Sequence, residues 1–245
     1  MDFDFCDLQE EDFHGLKSLL NIYCDGVEFA CSDLCDLLIK QKAVGTVVKT
    51  EGDESVLGVT SVVSLSRHKD EQCIKEIKKF ILGKVQGKDK KELEQIINDA
   101  STGLIINERI INVPQETGEP LIEGVFDEIA WAKKDEKTPE ARKSYDFKHY
   151  ILLSTVYEED VEDAPAASGS KRKKGQTRKE RIFPRLEEEL MLEHSKMSFF
   201  WRSRQNEQND IAEFMPHRCC MVLEAKSVDA FRKDVKELFE EFKQM

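Results

Sequence analysis

The chain has 245 residues, 40% of them hydrophobic and 35% charged, with a formal net charge of −12. That length suits one large domain, or one domain with a long insertion, and it can bury a core that needs neither disulfides nor metal. Seven cysteines without framework spacing, and the lack of any apolar run of membrane-spanning length, argue against a stapled secreted scaffold and a helical membrane protein.

Met1 is followed by Asp2, Phe3 and Asp4 rather than by a basic segment and an apolar run, so no signal peptide is expected. With no Asn-x-Ser/Thr acceptor, the expectation is a reducing compartment, cytosol or nucleus. The charge is unevenly spread. Residues 1–36 carry ten Asp/Glu against Lys17 alone, a net of −9, whereas residues 171–181 carry seven Lys/Arg against Glu180, a net of +6. The rest of the chain without that basic run stands at −18. Such a body steers toward basic proteins and argues against direct binding of nucleic acid.

Phe3–Leu8 alternates as a half-buried strand does. Phe13, Leu16, Leu19, Leu20 and Tyr23 then recur at helical spacing behind the acidic first turn Glu10-Glu11-Asp12. Ser32 reads as the N-cap of a second helix carrying Leu34, Leu37 and Leu38. Val44–Lys49 and Val56–Leu65 read as an antiparallel hairpin about Glu51-Gly52-Asp53-Glu54. Two helical stripes follow, one of Ile74, Ile77, Phe80 and Ile81, the next of Leu93, Ile96 and Ile97. Gly103–Asn107 suits a central strand, and Pro120 the first position of a helix carrying Leu121, Ile122, Val125, Phe126 and Ile129.

Phe147–Tyr157 is again strand-like. Residues 159–181 pass from acid through an Ala/Pro/Ser/Gly stretch to Lys171-Arg172-Lys173-Lys174, and read as a disordered basic loop inserted in the domain. Leu186–Glu193 is a short helix, Lys196–Ser203 an aromatic strand, Cys219–Leu223 a last strand and Val228–Phe242 a closing amphipathic helix. The order predicts a single domain over 1–245 with a three-layer α/β (α+β, mixed sheet) arrangement.

Signatures of chemistry are missing. Gly87-Lys88-Asp89-Lys90 is no Walker loop, no Gly-x-Gly pair occurs, and the five histidines do not cluster, so neither metal nor cofactor is expected. Cys31 and Cys35 share a helix face, where buried small hydrophobes outweigh metal ligands. Adjacent Cys219 and Cys220 point to opposite faces of a strand. His149 and Tyr150 read as strand packing rather than as a base and an acid. Phe199-Phe200-Trp201 beside Arg202 and Arg204 reads as core before a stacking platform. Lys171, Arg172, Lys173 and Lys174, which no core could use, suit a nuclear import signal and hence an import receptor.

Gly103-Leu104-Ile105-Ile106-Asn107-Glu108-Arg109-Ile110-Ile111-Asn112-Val113-Pro114 resembles the central motif of the BCCIP family, and Pro120 matches the family's second proline. The segments 34–41 and 44–49, the Glu187-Glu188-Glu189 turn before an aromatic strand, and the basic loop ahead of it extend the resemblance over nearly the whole chain. The long acidic tail that often precedes the domain in this family is nearly absent.

That resemblance implies a non-enzymatic, mainly nuclear protein with some in the cytoplasm. Animal members bind a breast-cancer susceptibility protein and a cyclin-dependent kinase inhibitor; the yeast relative is a chaperone for a large-subunit ribosomal protein and is linked to nuclear export. It also implies a fold like that of the GNAT-type acetyltransferases. Their Gly-rich pyrophosphate loop is replaced here by Glu108–Asn112, with bulky side chains where amides must approach phosphate, so acetyl-CoA should not fit. The favoured expectation is an acidic chaperone for a basic ribosomal client, with Glu10, Glu11, Asp12, Asp33 and Asp36 on the binding surface and residues 158–163 adding charge. A cell-cycle or DNA-repair scaffold, a divergent acetyltransferase and a direct nucleic-acid factor stand as alternatives. Within the motif, Glu108 and Arg109 are expected to pair, Asn112 to bond backbone in the turn, and Pro114 to limit its geometry.

Overall fold

The computed structural model describes residues 2–162, 177–204 and 215–242. Eight strands form one mixed sheet: β1 Phe3–Asp7, β2 Thr46–Thr50, β3 Asp53–Ser64, β4 Thr102–Arg109, β5 His149–Glu162, β6 Thr177–Ile182, β7 Met197–Arg202 and β8 Met215–Glu224. The path across it is β1-β2-β3-β4-β5-β8-β7, with β6 paired to β5. Among the described residues only β4 and β5 run parallel, and every other pair is antiparallel.

Side-chain alternation along these strands feeds two cores. Leu104, Ile106, Ile151, Leu153, Cys220 and Val222 face one cluster, which is roofed by α1 Phe13–Leu20, α2 Cys31–Lys40, α3 Gln72–Lys84 and α4 Asp89–Asn98. Ile105, Tyr150, Leu152, Cys219, Met221 and Leu223 face the other, beneath α5 Gly118–Asp135, α7 Leu186–His194 and α8 Val228–Phe242. A short helix, α6 Pro139–Lys143, is capped by Thr138 Oγ1, which accepts from the Ala141 amide at 3.1 Å. The result is three layers, helices on both faces of a sheet, and Cys219 and Cys220 do part to opposite faces.

Some expectations change. The structure places residues 159–162 and 177–181, expected in a loop, in strands: β5 and β6 form a ladder from Tyr157↔Ile182 to Glu162↔Thr177. Residues 163–176, with Lys171, Arg172, Lys173 and Lys174, lie outside the described residues. The second helix starts at Cys31 with Ala30 as its N-cap, so Ser32 lies inside the first turn. Pro120 is the third residue of α5 rather than the first, still within the turn whose amides have no helical partner. In β7, Phe199 and Trp201 pack on one core and Phe200 on the other.

Candidate functional site

The parallel pair β4–β5 is short. It holds only from Thr102↔His149 to Ile105↔Leu152, while β3 follows β4 all the way to Arg109 and β8 follows β5 to Glu158. The ends of the two strands are therefore unpaired on the sides that face each other, and a cleft opens at Ile106–Arg109 and Leu153–Val156.

The start of α7 fills it. Arg185, Glu187 and Glu188 are buried there with Glu108, Arg109 and Arg218, three carboxylates against three guanidinium groups. Arg109 Nη1 lies 2.7 Å from Glu187 Oε1, and its Nη2 donates to Glu187 Oε2 at 3.0 Å. Arg185 donates from Nε to Glu188 Oε1 at 2.7 Å and from Nη1 to Glu108 Oε2 at 2.9 Å. Asn107 Nδ2 reaches both glutamates, at 3.0 and 2.9 Å, while its Oδ1 accepts from Thr60 Oγ1 at 2.9 Å. Ser154 donates its hydroxyl to Glu188, and Arg218 donates to Thr155 Oγ1 at 2.8 Å and to the Tyr23 carbonyl at 2.9 Å.

The two adjacent glutamates titrate differently. Burial pushes both upward, but the Arg109 guanidinium and the bonds from Arg109 and Asn107 outweigh it at Glu187, which is held below the ordinary carboxylate value. At Glu188 burial prevails over Arg185, reinforced by the charges of Glu187 and Glu108, and its value is raised. Glu187 also stands against the first residue of α5: a Cβ on Gly118 would lie 2.6 Å from Glu187 Oε2. The carboxylate thus lies against the first turn of α5, the end of a helix that an outside anion would otherwise approach.

The motif residues thus have partners that their spacing did not suggest. Glu108 and Arg109 do not pair with each other; neighbouring strand residues point apart, and each finds its counter-ion on α7 or at the residue before it. Asn112 is exposed, and among the described residues its side chain has no hydrogen bond; the Val113 amide closes the turn on the Ile110 carbonyl at 3.2 Å. Pro114 precedes a 3-10 turn, Gln115–Thr117, that leads into α5. Arg185 and Glu187 are what sequence reading missed. The only signal was an Arg-x-Glu-Glu cluster ahead of an amphipathic stretch, which looks like a solvated face.

Beside the plugged cleft, at the surface end of β4, lies a groove of about 750 Å³ lined by α1, the start of β3 and the end of β4. Leu19, Ile22, Val56, Ile110 and Ile111 make it apolar, and Glu11, Asp53 and Glu54 bring carboxylates. Ile22, Ile110 and Ile111 are 47%, 44% and 80% exposed. Gly15 lets α1 lie close on β3, since a Cβ there would meet Val56 at 2.8 Å.

The expected acidic surface is dispersed. Glu10 and Glu11 are exposed, and Glu11 lines this groove. Asp12 is buried: its Oδ1 lies 2.8 Å from Lys49 Nζ and its Oδ2 accepts the Gln9 amide at 2.8 Å, so it offers nothing to a partner. Asp33 and Asp36 line a different, mixed-charge groove of about 590 Å³ with Lys40, Lys42 and Arg67. Glu158 is buried as well, accepting from Lys179 and from Arg181 at 3.1 Å each, so it adds no free charge. Among the described residues no group of three or more His, Cys, Asp or Glu could hold a metal ion, and no helix is long and apolar enough to cross a membrane.

A mixed α/β sheet with one short parallel pair, its splayed ends closed by a buried ion network, is the class of architecture on view. The sequence matches the BCCIP family over residues 1–195, and the chain belongs to that family. It is similar to a protein BCCIP homolog of Arabidopsis thaliana, 32% identical over 98% of this chain and 74% of the relative. A protein bcp1 of Schizosaccharomyces pombe is 33% identical over 71% of this chain and 64% of that one. The fold matches the crystal structure of BCP1 from Saccharomyces cerevisiae with a TM-score of 0.68 at 20% identity, over 98% of this chain and 92% of that one.

Proposed function

We propose that this BCCIP-type protein is a non-enzymatic binding protein, a nuclear chaperone that shields a basic protein client, a ribosomal protein of the large subunit. The observation that carries the reading is the groove at the end of β4, where exposed isoleucines stand among the carboxylates of Glu11, Asp53 and Glu54. Such a surface suits a Lys/Arg-rich segment with apolar anchors: the isoleucines supply the affinity, and the carboxylates steer and select.

The plugged cleft supports the non-enzymatic part. The sheet order, with its single parallel pair, is in keeping with a GNAT-like ancestry, yet the place beside α5 that a pyrophosphate would need is taken by Glu187. Calorimetry with acetyl-CoA is expected to give no heat of binding, and a dissociation constant in the micromolar range would overturn this.

For the client, the test is recovery of proteins on the immobilised chain at rising salt. Basic ribosomal proteins should be retained at low salt and lost as it rises. The double variant Ile110→Ser/Ile111→Ser, exposed enough to leave folding intact, should reduce that recovery at least tenfold. Retention unaffected by both salt and the variant would sink the proposal. Entry to the nucleus through an import receptor, by way of Lys171, Arg172, Lys173 and Lys174, is part of the same reading, and unchanged localisation after neutralising the four removes it. The cell-cycle and recombination partners of the scaffold reading have no observation in this chain that favours them.

A further inference from the structure

The body of the protein is not uniformly acidic. Between Arg67 and Lys91 there are nine Lys/Arg against four Asp/Glu, a net of +5 in a chain whose total is −12. α3, α4 and the turn before them gather five of these lysines, Lys69, Lys75, Lys78, Lys79 and Lys90, around a groove of about 650 Å³. On α3 the positions 75, 78 and 79 are spaced so that they share one face. Among the described residues none of the five has an ion-pair partner. Lys75 Nζ caps the Asp70 carbonyl at 2.6 Å, and Lys78 Nζ lies 3.5 Å from Asn98 Oδ1. Glu76, the acid between them in sequence, is turned away toward α2 and accepts the Ala30 amide at 2.7 Å.

Elsewhere the chain pairs its buried and half-buried cations with carboxylates, as at Lys49, Arg185 and Arg232. Five ammonium groups without an ion pair share one concavity with a single carboxylate, Glu94, and Glu76 acts on Lys79 only at a distance, so the groove keeps an excess of positive charge. A groove of this size exceeds a single phosphate, and its cations are arranged along it, which fits an extended polyanion. Its composition separates the candidate polyanions. Half-buried Leu82 is the one large apolar side chain in its lining, and none of the exposed large hydrophobic residues falls between 67 and 98, so an acidic protein segment would find a single, partly covered anchor. There is no exposed aromatic ring to stack a base and no arginine among the five to fork onto a base edge.

We propose that the α3–α4 groove binds the phosphate backbone of a nucleic acid, without sequence preference, through these lysines. The overall negative charge does not forbid it, because at physiological salt fields decay over about 8 Å and the local cations dominate a bound strand. The binding does not depend on the client-shielding role and is tested apart from it.

The experiment is fluorescence anisotropy of the whole chain with a labelled, mixed-sequence, single-stranded 20-nucleotide RNA, from 25 to 200 mM salt. Binding is expected at low salt, weakening with a log–log slope of about −3, the value for four to five contacted phosphates on a single strand. The variant Lys69→Gln/Lys75→Gln/Lys79→Gln/Lys90→Gln changes exposed side chains, so its circular dichroism should match the parent while its affinity drops at least tenfold. Neutralising Lys171, Arg172, Lys173 and Lys174 instead should leave most of the affinity. No binding at 25 mM salt would overturn the proposal. So would loss of binding on neutralising residues 171–174 alone, or a poly-glutamate peptide or anionic phosphatidylserine vesicles competing better than unlabelled RNA of equal charge.

Discussion

Glu187 and Glu188 are neighbours on one helix turn, equally buried, yet they stand on opposite sides of the ordinary carboxylate value of 4.5. Glu187 is lowered, so its contribution to stability is present above 4.5 and is lost as pH falls through its folded value. Glu188 is raised, so its contribution is present below 4.5 and is lost as pH rises through its folded value. The two variants should therefore differ. Glu187→Gln leaves Arg109 buried without its counter-charge and is expected to cost about 3–5 kcal/mol in urea unfolding, most of it seen at neutral pH. Glu188→Gln imitates the protonated form and should cost about 1 kcal/mol or less at pH 7, with the gap to the parent widening toward pH 4. Equal losses at all pH values would contradict the assignment. The thiols make a second case at this scale. Burial pushes Cys24 and Cys219 up to about 12 and Cys73 to about 11, and only Cys6 is exposed. Cys31, the first residue of α2, is instead lowered by its bond with Cys35, so a native titration with a chromogenic disulfide should show Cys6 reacting first and Cys31 more slowly, with five more thiols after denaturation.

Element geometry decides which glycines matter. Gly118 opens α5 against Glu187, and its replacement by Ala puts a methyl group 2.6 Å from a buried carboxylate oxygen that has no room to retreat. Gly118→Ala should destabilise by about 1–3 kcal/mol. Six residues on, in the same helix, Gly124 faces nothing within 4 Å, and Gly124→Ala should stabilise by about 1 kcal/mol. Thermal melts of the two variants should move in opposite directions. The β5–β6 ladder shows what composition left out for residues 159–162 and 177–181. Glu158 stands opposite Arg181 in register and is bonded by Lys179 and Arg181, while the Arg181 guanidinium lies 3.6 Å over the Phe200 ring. Charge density reads as disorder when the cross-strand partner is out of view. The other elements were legible: helical stripes at 74–81 and 93–97 and the apolar run at 103–107 fall within α3, α4 and β4, because one apolar face at the right period is a local property.

Across the whole molecule, a single net charge proves a poor description. The isoleucine groove with its carboxylates sits at the start of β3, and the lysine groove begins five residues beyond its other end, roughly 35 Å away at the rise of a twelve-residue strand. Sites so far apart should act independently. Neutralising the lysines is expected to change recovery of a basic client by less than about twofold, and Ile110→Ser/Ile111→Ser to change RNA affinity as little. What the sequence determined by itself is the three-layer class, the order of most elements, the likeness to the BCCIP family and the strand that carries its motif. Those follow from periodicity and local composition. Only the tertiary structure decided that β4 and β5 part after four residue pairs, that Arg185, Glu187 and Glu188 close the gap, and that Asp12 and Glu158 are buried counter-ions. The physical reason is that an ion pair is defined by who lies opposite. Glu187 meets Arg109 across 78 residues of chain, a separation at which no local pattern carries information.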